Sequence, residues 1–243
     1  MSVPGPMGRP AYRLYKLAWA GLDWLYPPLC GGCGKLGSRW CNDCQSKVRV
    51  ISPPICQRCG EVLDDVGTLC SQCVQSLPSF TAVRTWAVFE GPLRNALHRL
   101  KYKGDIALGE ILIRPLISML QNLKWGIDLI TPVPIGITRR AERGYNQAAL
   151  LALPLALGCG ITYESQALVK IRDTRSQVGL SVVQRHENVS GAFQARAKYV
   201  REKCVLVIDD VTTSGATLRA CSSALLKAGA RDVFGLTLTR TSK

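Results

Sequence analysis

At 243 residues, 47% of them hydrophobic and 20% charged, the chain has an ordinary globular composition: one medium domain, or a medium domain plus a small module. A formal charge of +14 predicts attraction to nucleic acid, anionic metabolites or membrane surfaces and says nothing about fold. No uncharged apolar run reaches the roughly 18 residues a bilayer span needs. The first thirty residues carry Arg9, Arg13, Lys16 and Asp23 and hold no clean apolar core, so neither a transmembrane segment nor a secretory leader is expected.

In chain order, residues 1–27 are expected to hold an amphipathic helix, through the aromatic stretch YRLYKLAWAGLDWLY (Tyr12 to Tyr26). Such a helix can lie on a membrane surface; packing on its own protein is the preferred reading. Residues 28–76 contain eight of the eleven cysteines, in four CxxC pairs: Cys30/Cys33, Cys41/Cys44, Cys56/Cys59 and Cys70/Cys73. Cys30 and Cys33 recur 26 positions later as Cys56 and Cys59, each pair followed by glycine, Gly34 and Gly60. This internal repeat points to two consecutive ribbons, each holding a metal ion through four thiolates, with zinc as the expected ion. Interleaved pairing and iron stay open at this point. A redox role is the rival, but a thioredoxin-like site uses one CxxC rather than four. Metal thiolates without a leader place the chain in a reducing compartment, the cytoplasm. Gly32, Gly34 and Gly37 match the dinucleotide fingerprint GxGxxG, but they straddle a cysteine knuckle instead of joining a strand to a helix.

From residue 80 to 243 apolar segments alternate. Strand AVRTWAVF (Ala82 to Phe89) is followed by helical PLRNALHRLKY and by IALGEILIRPLISMLQ, where Pro115 is expected to introduce a kink. Then come the short strand DLITPVP, helical NQAALLALPLAL, strand ALVKIR, a polar loop and a short helix. Strand KCVLVIDDV, helix ATLRACSSALLKAGA and strand DVFGLTLT close the chain. This alternation predicts an α/β fold, a parallel sheet covered on both faces. Cys159, Cys204 and Cys221 fall in apolar segments and are read as small core residues. His98 and His186 do not pair with the cysteines by spacing.

The stretch VLVIDDVTTSGATL (Val205 to Leu218) joins a buried strand to two carboxylates and a hydroxyl-rich turn. Ligands of open parallel sheets bind beyond the carboxyl ends of the strands. Backbone amides at the helix start, with the hydroxyls, make a cup for phosphate. Carboxylates beside such a cup suit a molecule with an anion and vicinal hydroxyls, and a ribose 5-phosphate has both. A strand-turn-helix with merely solvated aspartates is the plainer alternative, and it leaves the loop composition unexplained. A Walker B strand does not fit, because GxxxxGK[ST] occurs nowhere in the chain.

Here the sequence resembles the type I phosphoribosyltransferases. The resemblance implies that Asp209 and Asp210, the catalytic candidates, hold the ribose 2′- and 3′-hydroxyls of phosphoribosyl pyrophosphate (PRPP). Thr212, Thr213, Ser214, Gly215 and Thr217 would hold its 5′-phosphate. Gly215 is expected to resist substitution, since a side chain there would block the phosphate. LDWLYPPLCGGC, LITPVPIGITRRAERGYNQAALLA and RDTRSQVGLSVVQRHENVSGAF look like the ComF/GntX competence-protein family, which joins a cysteine-rich module to a phosphoribosyltransferase domain. Tyr145 stands where that family suggests Phe. The resemblance further implies a pyrophosphate loop around Pro132 and Val133, with Mg²⁺ as the ion accompanying PRPP. Arg139, Arg140 and Arg143 follow at once, and their guanidinium forks suit phosphate oxygens. Arg172, Arg175, Gln177 and Arg185 are candidates for a closing loop or an ordinary basic surface loop.

Three functions follow: a phosphoribosyltransferase of unknown acceptor, a DNA-uptake factor that binds single-stranded DNA alongside other uptake proteins, and a PRPP sensor or scaffold without catalysis. No hood for a nucleobase is evident unless residues 84–125 supply it. Trp86, Lys101, Tyr102 and Lys103 are candidates for single-strand binding by charge and stacking.

Overall fold

The computed structural model describes residues 10–25, 27–65, 67–174, 179 and 181–241. Helix α1 (Pro10–Leu25) precedes the cysteine module, whose only helices among the described residues are the five-residue α2 (Asn42–Ser46) and α3 (Ser71–Gln75). The body runs β1 (Ala82–Val88), α4 (Gly91–Tyr102), α5 (Leu108–Leu123), β2 (Leu129–Pro132), α6 (Ile137–Arg143), α7 (Gln147–Cys159), β3 (Thr162–Tyr163), β4 (Leu168–Lys170) and α8 (Val182–Val189). It closes with β5 (Phe193–Ala195), α9 (Ala197–Val200), β6 (Cys204–Thr212), α10 (Ala216–Lys227) and β7 (Asp232–Arg240).

Five strands form one parallel sheet in the order β1-β7-β6-β2-β3. The first part of β6 is apolar and buried at every position from Cys204 to Ile208, as a strand covered on both faces must be. Alternate side chains serve opposite layers. Leu206 and Ile208 join Leu97, Leu112, Ile113 and Leu155 of α4, α5 and α7, whereas Val205 and Val207 join Leu218, Cys221 and Leu225 of α10. Cys204 and Cys221 are core residues and Cys159 packs half-buried against the core, matching expectation. Pro115 lies inside α5, which continues to Leu123.

Two details differ from the sequence reading. ALVKIR does not join the main sheet: β4 pairs antiparallel with β5 as a separate ribbon. The sheet instead ends on β3, two residues long and too short to leave a periodic signal.

Helix α1 packs through Tyr12, 2% exposed, whose hydroxyl donates to Glu110 Oε1 at 3.3 Å. Arg39 pairs with Asp23 and lies 5.4 Å over the Trp19 ring. The other side of the helix leaves Leu14, Leu17 and Trp24 exposed. Among the described residues, no helix is long and apolar enough to cross a membrane.

The cysteine module closes the β1 edge, which would otherwise present unpaired backbone groups. Ile51 N–H donates to Trp86 O, Val88 N–H to Arg49 O, and Val83 N–H to Arg58 O at 2.6 Å.

Candidate functional site

Each CxxC followed by glycine folds into the same knuckle. Gly34 N–H returns to Cys30 O at 2.8 Å and Gly60 N–H to Cys56 O at 2.9 Å, with φ of +79° and +69°. Cys30 N–H then meets Lys35 O, as Cys56 N–H meets Glu61 O. The 26-residue repeat is thus a repeat of backbone geometry. Consecutive pairing is what the chain adopts: Cys30, Cys33, Cys41 and Cys44 converge in one group, and Cys56, Cys59, Cys70 and Cys73 in the other, with sulfurs within 4.8 Å of one another.

The donor set fits zinc. Four sulfurs at about 2.3 Å from a tetrahedral ion stand about 3.8 Å apart. Cys30 Sγ lies 3.6 Å from Cys41 and from Cys44, and Cys59 Sγ lies 3.5 Å from Cys70. Backbone amides prepare the first thiolate of each ribbon, whereas burial pushes the Cys44, Cys59 and Cys73 thiols up. Burial pushes the Cys30 thiol up, but the N–H groups of Cys33, Cys41 and Gly32 bring it down to about 6. Cys56 is treated alike by Cys59, Cys70 and Arg58 and falls to about 7.

At the carboxyl end of the sheet, β6 and β2 lie side by side, Pro132 against Ile208, with Val133 N–H donating to Ile208 O at 2.8 Å. Asp209 and Asp210 project just beyond. Because successive strand residues face opposite layers, Asp210 turns toward α4 and α7, and Asp209 toward α10. Asp210 is 2% exposed; Lys101 from the end of α4 pairs with it, and Gln147 Nε2 donates to its Oδ1 at 3.3 Å. Asp209 Oδ1 accepts from the Asp210 backbone N–H at 2.9 Å. Burial first, and the charge of Asp210 second, push the Asp209 carboxyl well above its ordinary value, against the pull of Lys101.

The Lys101 ammonium pairs with Asp210, while Asp209 feels only its charge. Lys101→Met is expected to cost about 3–5 kcal/mol of stability at neutral pH, the usual penalty for orphaning one half of a buried pair. The loss should shrink in mild acid, where the raised Asp209 carboxyl takes up a proton more readily once Lys101 no longer opposes it. Urea denaturation at pH 7.5 and 5 reads both; curves overlying wild type would show the pair contributes nothing.

Beyond Thr212 the chain turns through Thr213 and Ser214 to Gly215, whose φ of +75° starts α10. That left-handed conformation is why glycine sits there. Apart from its chain neighbours, a Cβ at Gly215 would meet no atom of the described residues within 4 Å, so conformation rather than crowding within the chain resists substitution. Thr212 is buried, while Thr213, Ser214, Gly215 and Thr217 are half-buried.

The three arginines part company. Arg143 lies 4.8 Å over the Tyr102 ring and donates to Gln147 Oε1 at 3.0 Å, which links it to Asp210. Arg139 faces Lys170, whose ammonium is lowered by burial and then by Arg139. Arg140 is exposed. Asn146 Nδ2 donates to Val133 O while its Oδ1 caps α7 at Ala148 N–H, tying the β2 end to that helix. Tyr145 donates its hydroxyl to Leu100 O, beside Lys101. Arg172 donates to Asn188 O and Ser190 O, bracing α8; Arg175 and Gln177 lie outside the described residues. Asn146 and Gln147 were not anticipated as site residues, and Lys101 was expected to bind single-stranded DNA rather than to pair with Asp210. The first two adjoin the arginine run in sequence, which was the available signal.

Trp86 is 8% exposed in the main core and cannot stack on a base, a correction to the single-strand reading. Its β-strand position turned it inward. Tyr102 is exposed, but its ring already packs on Arg143 and His98.

The class is now defined: a five-stranded parallel sheet flanked by helices, carrying two four-cysteine ribbons at its amino terminus. Residues 21–79 match the family model of the double zinc ribbon domain. DNA utilization protein YhgH of Salmonella typhi is 30% identical over 211 residues, 84% of this chain and 92% of that one. Competence protein F of Haemophilus influenzae is 29% identical over 201 residues, 79% of this chain and 86% of that one. Among solved structures, adenine phosphoribosyltransferase from Thermoanaerobacter pseudethanolicus is similar at TM-score 0.36 and 18% identity, covering 57% of this chain and 72% of that one. The chain belongs to the ComF family of competence protein F and YhgH.

Proposed function

We propose that the carboxyl edge of β6 binds PRPP, or a related ribose phosphate, together with Mg²⁺, and that the chain acts through this site in DNA uptake and natural transformation. One observation carries the reading: the carboxylates of Asp209 and Asp210, the Gly215 turn and the β2 end at Pro132 and Val133 meet at one strand edge. The amides of the turn and the hydroxyls of Thr212, Thr213, Ser214 and Thr217 serve the 5′-phosphate. Asp209 and Asp210 serve the ribose hydroxyls, and the backbone at Pro132 and Val133, with Arg143, the pyrophosphate. Mg²⁺, when bound, would neutralise pyrophosphate charge. Supporting the uptake role, relatives of the chain are named for competence and for DNA utilization.

Calorimetric titration of PRPP with Mg²⁺ into the zinc-loaded chain tests the reading. Absence of binding by a folded protein would leave a scaffold. If binding is found, pyrophosphate release across candidate acceptors separates a transferase, in which the anomeric C–O bond breaks as the acceptor bond forms, from a sensor.

Single-stranded DNA is a proposed partner on the strength of the +14 charge. Binding should weaken steeply between 50 and 200 mM salt, with a log–log slope of about −0.7 per phosphate contacted. A flat salt response would remove charge as its basis. Trp86→Ala, in turn, is expected to destabilise the fold rather than change DNA affinity selectively.

A further inference from the structure

The proposed phosphate loop and the second ribbon meet at one side chain. Arg240 ends β7 directly beside Thr212, the residue that opens the loop. Thr241 N–H donates to Thr212 O at 3.1 Å, so the backbones of the two segments are joined. The Arg240 side chain is only 7% exposed, and it does not point at solvent or at the sheet. It reaches into the second knuckle, pairing with Glu61 and donating to the carbonyl of the metal-ligating Cys59. Among the described residues, the Arg240 Nε and the Ser214 Oγ are both buried without a hydrogen-bond partner. Both residues line the same small cavity, with Cys59, Thr212 and Gly215.

Arg84 also donates to the knuckle, at Gln57 O, but of these two arginines only Arg240 lines the cavity beside the turn. Gly60 is pressed against β1, where a Cβ would stand 2.7 Å from Val83 O, so the knuckle sits at a fixed height above the sheet. A planar guanidinium holding a carboxylate and a carbonyl at once is rigid in a way an ammonium is not. The first ribbon is placed differently. Its Gly31 and Gly32 lie against Leu108 and Pro92 at the α4–α5 layer, and among the described residues none of it lines the cavity.

We infer that Arg240 is a positioning residue through which the second four-cysteine ribbon holds the Thr212–Gly215 turn in its anion-binding shape. The metal state of that ribbon, rather than of the first, therefore governs the loop. The inference deepens the PRPP reading and rests on it for the ligand, but the mechanical link can be measured without one.

The test uses the full, zinc-loaded chain and the variants Arg240→Met, Arg240→Lys and Glu61→Gln, with Cys30→Ser as the first-ribbon control. Hydrogen exchange of the amides from Thr213 to Thr217 and calorimetric affinity for PRPP with Mg²⁺ are read beside zinc content. Arg240→Met and Glu61→Gln are expected to keep the second zinc, speed exchange of the turn about tenfold and weaken PRPP about tenfold, the size of one charge-assisted bond. Arg240→Lys, which keeps the charge toward Glu61 but lacks the fork that also reaches the Cys59 carbonyl, should recover only part of both losses. Cys30→Ser should leave exchange of the turn unchanged. If Arg240→Met fails to fold, Glu61→Gln decides, because it removes one charge and no metal ligand. Unchanged exchange in Glu61→Gln, or equal acceleration in Cys30→Ser, overturns the inference. If wild type takes no PRPP, the ligand reading falls while exchange still decides the link.

Discussion

Asp209→Asn/Asp210→Asn is expected to weaken PRPP binding by more than a hundredfold while the sheet stays folded. Each carboxylate offers a charge-assisted hydrogen bond to a ribose hydroxyl, worth about 1.5–3 kcal/mol, and about 1.4 kcal/mol is a factor of ten. The single variants should behave unlike each other, because the two side chains face different layers. Asp210→Asn strips the partner from Lys101 on the α4 side and should lower stability. Asp209→Asn should raise it near neutral pH. The Asp209 carboxyl sits well above its ordinary value, through burial and then through Asp210, so the folded chain gives up this proton at a higher pH than the unfolded chain does. Stability attributable to this group is therefore lost as pH rises from about 4, the unfolded value, through the raised folded value. Asparagine removes that penalty, so its gain should be absent in acid and grow toward neutrality. Urea denaturation at pH 4 and 7.5, beside calorimetry at pH 7.5, reads stability and affinity separately. Equal affinity in wild type and the double variant would mean that the aspartates are not the ribose clamp. A site that gives up stability for a ligand-ready charge is a common compromise.

Local chemistry made some of this readable in the sequence. A knuckle needs its two cysteines and a residue at positive φ within a few positions, so CGGCG and CQRCG carry their own geometry. The β6 strand and its turn are likewise contiguous, and the apolar run, the carboxylates and Gly215 each report a local requirement. What could not be read joins distant segments. Gln147 meets Asp210 across 63 residues, and Arg240 meets Glu61 across 179. Neither pair leaves a periodic trace in its own neighbourhood. Trp86 shows the opposite hazard, since proximity to Lys101 and Tyr102 along the chain suggested a shared surface. Strand alternation put the indole into the core while the end of α4 delivered Lys101 to Asp210. The fold of ALVKIR was misplaced for a related reason. A three-residue strand pairs wherever a partner is close, and the partner here is β5 rather than the main sheet.

Removal of both metal ions is expected to unfold the ribbons and to bare the β1 edge, and this should be the largest single effect on stability. The module has little else to hold it. The second ribbon's buried cluster consists of Cys56, Cys70 and Cys73 with Leu63 and Leu69 against them. The helices α2 of the first ribbon and α3 of the second have five residues each and no side-chain cap, and every cysteine is free of disulfide bonding. Structural zinc sites of this kind contribute about 10–16 kcal/mol of apparent binding free energy at pH 7, which becomes folding free energy. Without the ion, thiolates a few ångströms apart repel or must take up protons. The consequence reaches the body of the protein, because the segments before and within the second knuckle supply partners to β1 at Trp86, Val88 and Val83. Elemental analysis of protein purified without added metal should give two zinc ions per chain, and a value near zero would remove the premise. Chelation should then lower the denaturation midpoint and speed hydrogen exchange at Val83 and Val88, whose N–H groups lose their acceptors. Exchange at Val205 and Val207, deep in the central strand, should change much less if the sheet keeps its core. A chelated chain with the midpoint of the loaded one would show that the eight thiols are not a folding site. Loss of protection throughout β6 and β7 would show instead that sheet and ribbons unfold as a single cooperative unit.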